Sequence, residues 1–251
     1  MSEPYLVTGC ASGIGREVTT ELLAAGHAVI GLDVAGEGPD GADVRACDLS
    51  DAAAVDAAVA ALPDRLAGVA SVAGVPGTHP PARVLAVNLL APRRLGAALL
   101  PRIAADGAIV HVASVAAGRS DRGDDDVRTV LGLPDEDAQA WLAREALAGS
   151  STYDFTKKAL VALACIQARD GLAHGVRSLS VSPGPTHTPI LADFEATMGA
   201  DRMSAAAQVV GRHGRPDDIA PLITFLLSPR ARWVNAVDVR ADGGLLGTRN
   251  L

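Results

Sequence analysis

The sequence predicts an α/β fold: one domain built on a doubly wound sheet of about seven parallel strands, with helices on both faces. Three observations carry this. The chain opens as strand, glycine-rich turn, helix and strand between Tyr5 and Asp33. Short apolar runs then alternate with helix-length segments along all 251 residues. The hydrophobic fraction is 49% but aromatics make up only 3%, so the buried surface is mostly Ala, Val and Leu, which suits close helix–sheet packing.

Each element has its own signal. Residues 5–8 form a short apolar strand that runs into Gly9-Cys10-Ala11-Ser12-Gly13-Ile14-Gly15. An amphipathic helix continues to residue 25, and Gly26 stops it. Residues 28–33 read as a buried strand ending at Asp33, and 44–46 as a short strand just before Asp48. Residues 51–62 are helical, with Ser50 as N-cap. A strand over 69–73 ends at Gly74, a long helix spans 84–104, and a strand over 108–113 ends at Ser114. Residues 152–174 form a helix and 176–181 a strand. Pro216 opens the next helix, Pro216–Leu227, as suits a first helical turn, and 237–240 is the last strand. No internal repeat or linker divides the chain, so residues 1–251 make a single domain.

One interval breaks the rhythm. Between Ser114 and Tyr153 lie 38 residues, where a strand-to-helix connection usually takes about 2–6. This insertion, residues 119–150, holds a helix-like piece over 135–147, and its acidic runs at 121–126 and 135–137 read as solvated loop. Leu131, Leu133, Trp141, Leu142 and Leu147 supply enough apolar surface to cover a hydrophobic ligand. The expectation is a pocket wall that includes Trp141 and faces a substrate lid over residues 190–210, with Phe194 and Met198 on the lid.

Charge and cysteine usage exclude some classes. The net charge is −7 with no basic stripe, which argues against nucleic acid. The first strand begins almost at once, which predicts no signal peptide, and no uninterrupted apolar run reaches membrane-spanning length. Cys10, Cys47 and Cys165 have no metal-type spacing and form an odd set. They read as reduced thiols of a cytoplasmic protein, and no metal is expected.

Two motifs carry chemistry. The turn Gly9-x-x-x-Gly13-x-Gly15 follows a strand and opens a helix, which lets the backbone approach a pyrophosphate at a helix N-terminus. Its spacing differs from the ordinary G-x-G-x-x-G. Asp33 closes the second strand, where a carboxylate accepts both ribose hydroxyls of an adenosine and opposes a 2′-phosphate. Val34 and Ala35 follow it, with no arginine, so NAD is expected over NADP. The second motif is Tyr153-Asp154-Phe155-Thr156-Lys157, in a chain with only two tyrosines and two lysines. On a helix, positions i and i+4 lie on one face about 5–6 Å apart. An ammonium there stabilises a phenolate and lowers the phenol from its usual pKa of ~10, so that tyrosine becomes a general acid/base.

Together these residues resemble the classical short-chain dehydrogenase/reductase family, whose fold is of the Rossmann type. Thr8-Gly9-x-x-x-Gly13-x-Gly15 matches its cofactor motif and Tyr153-x-x-x-Lys157 its catalytic one. Asp48-Leu49 matches the pair flanking the adenine, Asn88 the structural-catalytic asparagine, and Ser114 the catalytic serine. Pro183-Gly184-x-x-x-Thr188-Pro189 matches the nicotinamide-side loop, and Gly214-Arg215-Pro216-x-x-Ile219-Ala220 and Asp242-Gly243-Gly244 match C-terminal signatures. The match runs in order over essentially the whole chain. Two departures stand out. The usual Asn-Asn-Ala-Gly is Ser71-Val72-Ala73-Gly74 here, and the serine-to-tyrosine spacing is much longer than usual. The long spacing is similar to that of the bacterial 3α-hydroxysteroid dehydrogenase/carbonyl reductase subgroup, which carries a helical insertion at this place.

The resemblance implies an NAD-dependent oxidoreductase that interconverts a secondary alcohol and a ketone. Tyr153 would exchange the hydroxyl proton, Lys157 would hold the nicotinamide ribose, Ser114 would bond the substrate oxygen, and Asn88 would position Lys157 and a relay water. Cofactor contacts are expected from Gly9, Ser12, Gly13, Ile14, Gly15, Asp33, Asp48, Leu49, Ala73, Gly74, Tyr153, Lys157, Pro183, Gly184, Thr186 and Thr188. Trp141, His187, Phe194 and Met198 are the expected substrate-lining residues, whereas His111, on a strand, reads as a core histidine. The expected substrate is a hydroxysteroid or another bulky cyclic alcohol or ketone. An aryl or terpene alcohol dehydrogenase is the alternative, and a non-catalytic dinucleotide sensor on the same fold is a further one. The full set Asn88, Ser114, Tyr153 and Lys157 argues against a sensor. Family members commonly pair through the two long helices, 84–104 and 152–174, or through the C-terminal edge. A homodimer or homotetramer is therefore expected. The insertion starts beside the helices, so the C-terminal edge is the favoured contact.

Overall fold

The computed structural model describes residues 3–191, 193 and 207–248. Its strands are β1 (Tyr5–Thr8), β2 (Val29–Asp33), β3 (Asp43–Ala46), β4 (Leu66–Ser71), β5 (Ile103–Val112), β6 (Arg177–Pro183) and β7 (Asp238–Ala241). They form one parallel sheet in the order β3-β2-β1-β4-β5-β6-β7. The order reverses between β1 and β4, which opens a crevice at the carboxyl ends of those strands, the usual ligand position in such sheets. The chain is therefore a single-domain α/β protein of the Rossmann type.

The covering helices follow the apolar pattern. On one face lie α1 (Gly13–Ala24) and α8 (Pro216–Leu227), which bury Val18, Leu22, Ile219, Ile223 and Leu226 against Val7, Val110 and Leu179. On the other face, α2 (Ala52–Ala61) and α4 (Ala91–Leu99) bury Val55, Leu95 and Leu99 against Leu6, Leu32 and Ile109. The long α7 (Ser150–Gly171) packs on β5 and β6.

Several boundaries differ from expectation. The N-cap of α2 is Asp51, whose carboxylate accepts from the Ala53 and Ala54 amides at 2.9 and 3.3 Å. Ser50 is drawn away by Asp48 Oδ1, to which its amide and hydroxyl donate at 2.9 and 2.7 Å. The helix expected over 84–104 is α3 (Pro81–Leu85), a π turn (Ala86–Leu90), α4 and a 3₁₀ turn (Leu100–Arg102). Pro92, just after the π turn, has no N–H for a regular helical bond, which is a usual reason for such a change in winding. This 22-residue stretch, Pro81–Arg102, is long and apolar enough to cross a membrane by length and composition, but Arg83, Arg93, Arg94 and Arg102 interrupt its apolar run and 67% of its most apolar window is buried inside the fold.

The insertion holds two helices, α5 (Asp124–Gly132) and α6 (Asp135–Arg144). Apart from Asp121, which lies in the loop before α5, the acidic residues are helical. Asp124, Asp125 and Asp126 form the first turn of α5, and Asp135, Glu136 and Asp137 that of α6, where carboxylates meet the positive end of the helix dipole. Arg93 donates to the Val130 and Leu131 carbonyls at 3.1 Å each, and Arg93 and Arg94 share the Asp135 carboxylate. Val127, Val130, Ala138, Trp141, Leu142 and Leu147 then join one buried cluster with Leu85, Leu89, Phe155, Leu160 and Leu163. The insertion thus lies across the outer face of the long helices.

Candidate active site

The site is built at the ends of β1, β4 and β5. β1 ends at Thr8, whose hydroxyl oxygen accepts from the Val72 and Ala73 amides at 3.0 and 3.1 Å. That contact holds the segment after β4 beside the glycine-rich turn, although the usual Asn-Asn pair is Ser71-Val72. The turn itself tolerates no side chain at three places. A Cβ on Gly9 (φ 72°) would lie 2.9 Å from Ala73 Cα, and one on Gly15 only 2.1 Å from the Gly9 carbonyl oxygen. On Gly13 (φ 52°) it would meet Thr188 at 3.0 Å, so the loop after β6 closes directly over the turn.

A cleft of about 830 Å³ runs over this region. Gly9, Ser12, Gly13, Ile14, Gly15, Asp33, Asp48, Leu49, Ala73 and Gly74 border it, as do Tyr153, Lys157, Pro183, Gly184, Thr186 and Thr188. Every position expected to touch a cofactor therefore faces one space. Ser114 borders it as well. Asp33 Oδ2 accepts from the Ala11 amide and Oδ1 from the Ala35 amide, both at 3.0 Å, which fixes the carboxylate at the cleft wall while each oxygen keeps a further lone pair. Asp48 is held below the usual carboxylate range, first by the bonds from Ser50 and then by Arg83. The glycine cradle and the fixed Asp33 carboxylate fit a nicotinamide dinucleotide.

Tyr153, Lys157 and Ser114 meet on this cleft. Ser114 caps the 3₁₀ turn Val115–Arg119 by accepting from the Ala116 amide at 3.1 Å, and it shares a hydrogen bond with Tyr153. The Lys157 ammonium lies 5.6 Å from the centre of the Tyr153 ring and donates to the Val112 carbonyl at 2.8 Å. Burial pushes the Tyr153 phenol up to about 12 and Lys157 down to about 8. This corrects the simple expectation of a lowered phenol. Desolvation outweighs the bond from Ser114.

Other expected residues stand elsewhere. Asn88, on the π turn, is fully buried and does not border the cleft. Its Oδ1 accepts from the Val75 amide at 2.8 Å, and its Nδ2 donates to the Val75 carbonyl at 3.0 Å. It adjoins the site through Val75, which borders the cleft, through a bond from its Nδ2 to Thr156 Oγ1 at 3.5 Å, and through Gly74, where a Cβ would come within 3.3 Å of both Asn88 Oδ1 and Lys157 Nζ. Trp141 is not a pocket residue: it is buried against Phe155, ring centres 5.3 Å apart, and does not border the cleft. The same holds for Leu131, Leu133, Leu142 and Leu147, so of residues 119–150 the cleft is bordered by Arg119 alone. His187 is exposed and stacks on His213, ring centres 5.3 Å apart, instead of facing the cleft. Phe194 and Met198 lie outside the described residues. His111 is a core residue, bonded through Nε2 to Gln167 Oε1 at 2.8 Å.

Sequence reasoning missed several cleft residues, among them His79, Arg83, Val115, Ala116, Arg119 and Leu245, whereas Ile190 and Leu191 border the cleft at the start of the expected lid. Val115, Ala116 and Leu245 are ordinary apolar residues without a motif. Arg119 did have a signal, an acidic residue immediately after the motif tyrosine that needs a cation near it.

Known proteins agree with this geometry. The family model "short chain dehydrogenase" matches residues 4–123, and "Enoyl-(Acyl carrier protein) reductase" matches residues 139–246. The chain is 34% identical over 251 residues to a coniferyl-alcohol dehydrogenase of Pseudomonas sp., covering 98% of each chain. It is 29% identical over 250 residues to a 3-alpha-hydroxysteroid dehydrogenase/carbonyl reductase of Comamonas testosteroni, covering 96% of this chain and 95% of the other. Among solved structures, the 3-alpha-hydroxysteroid dehydrogenase of Pseudomonas sp. B-0831, complexed with NADH, superposes with a TM-score of 0.82 at 30% identity, covering 98% of this chain and 97% of that one. With the glycine turn, Ser114, Tyr153 and Lys157 around one cleft, the chain belongs to the short-chain dehydrogenase/reductase family of oxidoreductases, close to its hydroxysteroid dehydrogenase members.

Proposed function

We propose that this protein is an NAD-dependent dehydrogenase that interconverts an alcohol and a carbonyl compound on a bulky, ring-bearing substrate, in the cytoplasm. One observation carries the reading: Ser114, Tyr153 and Lys157 share a single cleft with Asp33 and the glycine turn. When bound, the nicotinamide supplies the hydride acceptor or donor. The glycine turn and the N-terminus of α1 would hold the pyrophosphate, Asp33 the adenosine ribose, and Lys157 the nicotinamide ribose. Ser114 would bond the substrate oxygen where charge develops. Tyr153, protonated at neutral pH because of its burial, would donate a proton to a carbonyl oxygen in reduction and accept it in oxidation. Asn88 would act on the backbone of Val75, and so on the floor beneath Lys157.

A hydroxysteroid is supported by the superposition on a 3-alpha-hydroxysteroid dehydrogenase and by the apolar residues Val115, Ala116, Ile190 and Leu191 on the cleft. An aryl alcohol is the second reading, favoured by the 34% identity to a coniferyl-alcohol dehydrogenase. The test is reduction of NAD⁺ by a 3α-hydroxysteroid, coniferyl alcohol and a terpene alcohol, followed by the absorbance of NADH. Tyr153→Phe should lower kcat by about 10²-fold or more while NADH still binds. No turnover with any of the three, alongside tight NADH binding, would favour a sensor instead.

A further inference from the structure

We infer that Arg119 is a positioning residue for proton transfer, which holds the carboxylate of Asp154 in a two-pronged ion pair so that Tyr153 does not face an uncompensated negative charge. The inference rests on the reading of Tyr153 as the group that exchanges the proton. Arg119 ends the 3₁₀ turn that Ser114 begins, and it borders the cleft. Its Nε donates to Asp154 Oδ2 at 3.1 Å and its Nη2 to Asp154 Oδ1 at 2.8 Å, the fork-on-carboxylate geometry that fixes both groups. Asp154 follows Tyr153 directly in the chain, and its side chain is only 11% exposed.

The charge balance explains the pair. Alcohol oxidation needs Tyr153 to give up its proton and become anionic before it can accept another. A carboxylate at its side opposes that, and a guanidinium clamped on the carboxylate offsets most of the opposition. Asp154 in fact pushes the phenol up and Arg119 pulls it back. The other charged or titratable groups on elements packed against Tyr153 do not replace Arg119. Lys157 donates to the Val112 carbonyl, Arg83 of α3 is paired with Asp48, and His79 lies on the loop before α3. Asp193 borders the same cleft and adds a negative charge. Asp154 itself also anchors the turn that carries Ser114, so the pair links the two residues that share a hydrogen bond across the cleft.

The test is the pH profile of kcat/KM for alcohol oxidation at saturating cofactor, where activity falls on the acid side as Tyr153 takes up its proton. Arg119→Met should move that limb to higher pH by roughly half to one unit, and Asp154→Asn should move it to lower pH by a similar amount. The double variant should return close to wild type, and Arg119→Lys, which keeps the charge, should stay there. A purely structural pair would lower activity at every pH, or lower thermal stability, without opposite displacements. If Arg119→Met does not fold, Asp154→Asn and Arg119→Lys decide. Limbs that coincide with wild type, or that move in the same direction in both single variants, overturn the inference. Failure of the underlying reading is distinct, because Tyr153→Phe would then retain turnover.

Discussion

Trp141→Ala separates two roles for the insertion. The indole is 5% exposed and packs among Phe155, Leu85, Leu142 and Leu160. Burying an aromatic side chain of about 200 Å² at ~25 cal/mol per Å² contributes on the order of 5 kcal/mol. A compact unfolded chain lowers that by roughly 10–40%. The expected loss is therefore about 3–5 kcal/mol, the usual span for removing a buried tryptophan. That is a large part of a typical stability of about 5–15 kcal/mol. With a urea slope of about 1–3 kcal/mol per molar, the unfolding midpoint should fall by about 1 M or more. At a temperature where the variant remains folded, KM for a multi-ring alcohol and for cyclohexanol should stay as in wild type, because Trp141 does not border the cleft. An unchanged midpoint together with a KM rise confined to the multi-ring substrate would refute the assignment of the insertion to packing.

Three further outcomes follow from the same geometry. Wild type should show higher kcat/KM with NADH than with NADPH, and Asp33→Ala should lower NAD affinity roughly 10–100-fold through loss of bonds to a charged acceptor; equal preference in wild type defeats the reading. His111 is held down to about 4 by burial, so the unfolded chain takes up its proton first. Stability should drop as pH falls below about 6.5, the His111 contribution of about 3 kcal/mol being fully lost near pH 4; a His111→Gln variant whose urea midpoint falls just as far between pH 7 and 4.5 would show that another group is responsible. We propose, last, that two copies pair along the β7 edge, where Trp233, in the segment just before the strand, is 97% exposed and Val237 is exposed as well. Trp233→Glu should then convert a dimer to a monomer in light scattering, and a monomeric wild type at micromolar concentration rejects the pairing.

Legibility in the sequence tracked how local the cause was. The strands of a sheet covered on both faces are continuous apolar runs, so Tyr5–Thr8 and Val29–Asp33 were plain, and so was the glycine turn, whose demand is backbone space at Gly9 and Gly15. The breaks in the 84–104 helix were hidden, because a π turn leaves the apolar pattern unchanged over five residues. β5 begins at Ile103, five residues earlier than its apolar run suggests, since its early part includes Asp106 at φ 69° and an irregular register against β4. The acidic start of α5 carried a helix signal that a loop reading overlooked, whereas α6 begins at Asp135 as the helix-like piece over 135–147 suggested. Trp141 failed for a different reason: an apolar stripe shows that a face is covered but not by what. Motif spacing brought Ser114, Tyr153 and Lys157 to one cleft, whereas the backbone role of Asn88 depends on Val75, which no motif marks.

The insertion lying across α4 and α7 changes the statistics of that surface. An apolar face covered by a second molecule is protected only in proportion to protein concentration, by mass action. Here the cover belongs to the same chain, joined at one end to the turn after β5 and at the other to α7, so its local concentration is set by chain length and does not fall on dilution. Leu85, Leu89, Phe155 and Leu160 therefore stay dry in a single molecule. The helix that carries Tyr153 and Lys157 has its outer face held by a unimolecular equilibrium, which leaves the β7 edge of the sheet to assemble, or not, without disturbing the catalytic side chains.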